Sequence, residues 1–195
     1  MNKTRLEAFS DAVIAIVMTV MVLELRVPQG GDLEALRPLI PTLLAYVLSF
    51  VYLAIYWNNH HHMLQATRTV NGKVLWANML LLFWLSLIPF GTSWMGEHHE
   101  EPLPTAVYGF VLLMCGVSYS ILVRKLTKHT GGENELLAKA IGADFKGWLS
   151  MVLYLLGIGF AFLQPTISHV IYAAVAVMWF IPDRRIEKRI AGERV

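Results

Sequence analysis

Apolar runs long enough to cross a bilayer recur from one end of this chain to the other. They fall at about residues 8–27, 37–66, 72–95, 103–126, 145–163 and 167–181. A helix of about 20 apolar residues spans roughly 30 Å of hydrocarbon. Only 15% of the 195 residues are charged, against about 25% in a typical soluble domain. The mean hydropathy is +0.53. No stretch is left over for a sizeable soluble domain. The whole chain, 1–195, therefore reads as one all-α polytopic membrane unit with six transmembrane helices.

The breaks between runs have their own chemistry. Pro28 with the Gly30–Gly31 pair stops the first helix, and Asn71-Gly72 marks the second turn. GEHHEEPLP (Gly96–Pro104) is polar and holds two prolines, TKHTGG (Thr127–Gly132) opens the fourth connection, and Gln164-Pro165 makes the fifth. Pro38 and Pro41 lie at the start of the second run, where a first helical turn tolerates proline. A cleaved signal peptide is the rival reading of the N-terminus. The run ends in LELRVP, without a small-x-small cleavage pattern, so an uncleaved first span is expected.

Charge orients the bundle. Fourteen of the 16 Lys and Arg residues fall at the two ends and in the second and fourth connections, all on one side of a six-span topology. The other side has Arg26 and Arg37, and collects Glu24, Asp32, Glu34, Glu97, Glu100 and Glu101. The positive-inside rule places both termini in the cytoplasm, which requires an even number of spans. The basic tail from Asp183 to Val195 suits anionic lipid headgroups, or serves only to fix topology. The expected location is the cell membrane, among lipids, with no nucleic acid partner.

The first run carries a puzzle. RLEAFSD (Arg5–Asp11) places charged and polar groups ahead of AVIAIVMTVMVL. Ser10 or Asp11 could cap an early helical turn, and Asp11 would gain from the positive end of the helix dipole. Capping leaves Arg5 and Phe9 unexplained.

Arg5-x-x-x-Phe9-Ser10-Asp11 with its apolar continuation resembles the signature of the transmembrane protein 175 family, whose members are potassium channels. YWNNHHHML (Tyr56–Leu64) is similar to the end of the family's second helix, and LWANMLLLFWLSLIPF (Leu75–Phe90) to its third, with Asn78 and Pro89-Phe90. The resemblance covers roughly the first half of the chain by motif and the second half by span count. It implies a homotetramer of six-helix subunits with the first helix of each lining the pore. It implies potassium and other monovalent cations as the permeant species, no cofactor and no pore loop; no TVGYG-type filter occurs in the sequence. By family position Ile16 would form the narrowest ring, Thr19 the adjacent hydroxyl, and Val20 and Leu23 further apolar layers. Arg5, Phe9, Ser10 and Asp11 would serve structure, tied to His60, His61 or His62 and to Asn78 on neighbouring helices.

Spacing alone adds that Ile16, Val20, Leu23 and Val27 lie at i, i+4, i+7 and i+11, one stripe of a helix. Such a stripe equally suits lipid contact or packing. A narrow apolar ring can gate by dewetting, and potassium sheds water more easily than sodium.

The remaining features point elsewhere only weakly. Adjacent histidines diverge by about 100° on a helix, so His60–His62 do not share one metal site, and no metal is expected. No nucleophile elbow, P-loop or dinucleotide fingerprint occurs, so no enzyme is expected. Cys115 is the only cysteine, which excludes an intrachain disulfide. The alternative function is a proton-coupled or metal-ion secondary transporter. It would want an ionisable group at mid-membrane, and the first span has none between Asp11 and Glu24.

Overall fold

A computed structural model describes residues 3–67, 69–128 and 145–180. The basic tail, Arg68, Lys139 and most of the fourth connection lie outside the described residues. The described residues are mostly helical, with no strand among them. The helices are α1 (Lys3–Leu23), a 3-10 segment (Glu34–Leu39), α2 (Ile40–Gln65), α3 (Gly72–Ser86), α4 (Ile88–Glu97), α5 (Pro102–Lys128), α6 (Phe145–Ala161) and α7 (Pro165–Phe180).

Six spans result. Lys3–Leu23, Glu34–Gln65, Gly72–Glu97 and Pro102–Thr127 are each long and apolar enough to cross a membrane, and α6 and α7 are shorter apolar helices of 17 and 16 residues. The third span differs from the continuous helix expected over 72–95. It breaks at Leu87, between α3 and α4. Pro89 supplies the reason: it has no N–H to give the carbonyl one turn back, and its ring crowds that carbonyl. Leu87 N tightens onto Trp84 O three residues back (3.2 Å), and the regular helical pattern resumes with Gly91 N to Leu87 O (3.1 Å).

The start of α3 was legible. Asn71 is extended, and its Oδ1 accepts from the amides of Lys73 (2.9 Å) and Val74 (3.0 Å), a side-chain cap. The start of α1 differs from expectation. The helix already runs at Lys3, so Ser10 and Asp11 sit two turns inside it and cap nothing.

The packing forms two halves. α1 packs chiefly on α2, α3 and α4, while α5 binds α3 and α6, and α6 binds α7. Tyr172 of α7 holds the second half together. Its ring lies against Gly157 of α6 and its hydroxyl against Gly109 of α5, so closely that a Cβ at either glycine would collide with it. Such small-residue contacts are how helices approach where lipid offers no hydrophobic drive. The Tyr172 hydroxyl donates to Thr105 O (3.2 Å), and Tyr52 of α2 donates to Tyr172 O (2.6 Å), tying α2 to α7. A buried hydroxyl chain, Thr92–Ser49–Tyr108 (2.6 and 2.8 Å), links α4, α2 and α5.

Candidate functional site

α1 has two distinct faces. Leu6, Ser10, Ile14, Val17 and Met21 recur every three or four residues and are buried against the bundle. Ile16 (60% exposed), Thr19, Val20 and Leu23 (80% exposed) project from the subunit. Val27 does not join this stripe, because α1 ends at Leu23. The residue before a proline is pushed from the α region, and Pro28 follows Val27. The hydroxyl of Thr19 donates to Ile16 O at 2.8 Å. With its proton turned back onto the helix, the Thr19 oxygen offers lone pairs to whatever it faces.

The polar end of α1 is anchored by one short chain of bonds. Ser10 Oγ donates to Leu6 O (2.8 Å) and accepts from Asn78 Nδ2 (2.9 Å). Asn78 Oδ1 is 2.8 Å from His60 Nε2. All three side chains are fully buried. The proton positions follow by elimination. Ser10 has spent its only proton, so Asn78 gives its amide hydrogen there and can only accept from His60. His60 therefore carries its proton on Nε2. Three helices, α1, α3 and α2, meet in this joint.

The other expected members of the joint stand outside it. Asp11 is half-buried and accepts from Trp57 Nε1 at 3.0 Å. His61 lies 3.5 Å from Glu7 and stacks on Trp57 with ring centroids 5.7 Å apart. It also bonds Gln65 at 2.8 Å. His62 and Arg5 are exposed, Phe9 is 49% exposed, and Arg5 has no ion-pair partner among the described residues. Successive histidines face three directions: one inward, one along the α1–α2 seam, one out. Among the described residues no group of three His, Cys, Asp or Glu side chains is placed to hold a metal ion.

Glu7 and Trp57 were missed by the sequence reading. Glu7 lies four residues before Asp11, so the two share a helix face. That spacing was the available signal for a polar seam beside the buried joint.

At the other end of α1, Arg26 just past the helix pairs with Glu97 at the end of α4, at 3.1 Å. Arg26 is mostly exposed there. His99 and Glu100 lie 3.9 Å apart at the surface.

Comparison with known proteins bears on this geometry. The profile of the family described as endosomal/lysosomal potassium channel TMEM175 matches residues 5–89, which hold α1 to the Pro89 break. A potassium channel from Chryseobacterium sp. (strain P1-3) is 50% identical over 190 residues, covering 97% of this chain and 98% of that protein. The chain belongs to the TMEM175 family. A further relative, a potassium channel from Streptomyces collinus, is 28% identical over 92% of each chain. The crystal structure of a lysosomal potassium-selective channel TMEM175 homolog from Chamaesiphon minutus superposes with a TM-score of 0.79. It is 27% identical and covers 92% of this chain and 96% of its own. The family is one of multi-pass membrane ion channels, not enzymes, and the fold of this chain is that of a family channel. Permeant ions, rather than a cofactor, are what such a protein handles.

Proposed function

We propose that this chain is a potassium-preferring cation channel. Four copies surround a central axis, and α1 of each lines the pore. The whole chain acts as one six-helix channel unit, in the cell membrane, with both termini in the cytoplasm. The names of the relatives, potassium channels at 50% and 28% identity, support the ion. The charge asymmetry of the connections supports the orientation.

One observation carries the pore assignment: the face of α1 opposite its buried stripe presents Ile16, Thr19, Val20 and Leu23 outward. A fourfold arrangement of such faces stacks aliphatic rings along the axis. The Ile16 ring, nearest the cytoplasmic joint, makes the constriction and excludes a fully hydrated ion. Thr19 lies one turn beyond it. Because its hydroxyl proton is committed to Ile16 O, four Thr19 oxygens offer acceptors to a partly dehydrated cation. Potassium gives up hydration more easily than sodium, so this ring favours it. The Ser10–Asn78–His60 joint fixes the rotation of α1 about its own axis and keeps the aliphatic face on the pore.

Substitution at the constriction tests the reading. Ile16→Asn raises leak conductance and lowers the potassium preference measured by reversal potential. Conductance and reversal potential unchanged from wild type would remove Ile16 from the constriction. They would favour a non-conducting scaffold if wild type is also silent.

A further inference from the structure

A cavity lies inside the second half of the subunit, between α2, α5, α6 and α7, with no lining residue from α1. Its volume is about 40 Å³. Tyr56, Asn59, Gly116, Tyr119, Tyr154 and Trp179 form much of its wall. Tyr56 and Tyr119 meet edge to face, with centroids 6.0 Å apart. Among the described residues that line it, none is Asp, Glu, Lys, Arg or His.

The polar groups divide unevenly. On the α6–α7 side Ser150 Oγ is already engaged: it accepts from Trp179 Nε1 (2.7 Å) and donates to Lys146 O (2.8 Å). On the α2 side, Tyr56 and Asn59 are one helical turn apart, and neither the Tyr56 hydroxyl nor the Asn59 carboxamide has a hydrogen-bond partner among the described residues. The Tyr56 hydroxyl reaches toward Gly116, whose missing Cβ would sit 3.8 Å from it and 3.9 Å from Tyr154 Cε2. In a membrane-embedded site such groups need a partner.

We propose that this cavity binds a small uncharged amphiphile of the short-chain alcohol class. The hydroxyl of the ligand bonds Tyr56 and Asn59, and its alkyl part lies between the rings of Tyr119, Tyr154 and Trp179. A cation is disfavoured because the described part of the wall has no carboxylate to pair with it. By volume the space also suits about three waters at 10–15 Å³ each, and water alone is therefore the rival outcome that the test separates from the alcohol. The site is independent of the pore assignment, since α1 takes no part in it.

Crystals of the full-length protein soaked in 2-bromoethanol test the proposal through the anomalous signal of bromine. Wild type is expected to show a bromine peak between Tyr56 and Tyr154. Gly116→Leu, which fills the space, loses it. Asn59→Leu, which keeps the volume but removes a polar contact, weakens it. Should Gly116→Leu fail to fold, Gly116→Ala meets only ordinary contacts and, with Asn59→Leu, carries the comparison. Water density without bromine in wild type overturns the proposal. So does a peak undiminished by these variants.

Discussion

The imidazole of His60 on α2 and the carboxamide of Asn78 on α3 lie 2.8 Å apart, and the same carboxamide reaches Ser10 of α1 at 2.9 Å. One residue thus couples three helices, near the N-terminal end of the helix proposed to line the pore. Asn78→Leu leaves His60 Nε2 without its partner, while Ser10 keeps only its bond to Leu6 O. An unsatisfied buried polar group costs about 1–3 kcal/mol, so the variant should melt earlier and yield less assembled protein. Size-exclusion chromatography and thermal melting of the purified variant check this. An unaltered melting temperature would mean that the joint contributes little.

The contact of Tyr172 with two glycines gives a prediction that discriminates between them. Overpacking of a close contact costs roughly 1–3 kcal/mol. Gly109→Ala and Gly157→Ala should each destabilise the subunit. At Gly109 the nearest collision is with the Tyr172 hydroxyl and the next with ring carbon Cζ, whereas at Gly157 it is with ring carbons alone. Tyr172→Phe should therefore partly rescue Gly109→Ala and fail to rescue Gly157→Ala. Equal rescue of both, read from melting temperatures of the double variants, would contradict this packing.

Arg26 and Glu97 are expected to matter little to stability despite their 3.1 Å approach. Arg26 is largely exposed, and exposed ion pairs are worth about 0–1 kcal/mol. Arg26→Gln should leave thermal stability near wild type at physiological salt. A large loss would show that the pair is shielded from water in the assembly.

Much of this architecture could be read from residue order because the bilayer restricts it. The length of each run and the placement of Lys and Arg anticipate six spans, and Asn71-Gly72 anticipates the start of α3. The break at Leu87 was not anticipated as such. Pro89 was visible, but a run of hydropathy does not say whether a proline bends a span or interrupts it. The buried joint was legible in membership but not in selection. Ser10, Asn78 and the histidines were candidates together, yet choosing His60 over His61 and His62 requires the rotation of α2 against α3, which one sequence leaves open. Arg5 and Asp11 fall outside the joint for the same reason. The turn of α1 points Ser10 inward and leaves Asp11 beside Trp57. The cavity near Gly116 gave no sequence signal, since its walls come from four helices.

The central claim is passive, potassium-preferring conduction, and a bi-ionic current tests it most directly. Purified protein is placed in a planar bilayer with potassium on one side and sodium on the other. The account predicts a steady current that reverses toward the potassium equilibrium potential. No steady current, with ion uptake that saturates and follows a proton gradient, would contradict it and point to a proton-coupled carrier.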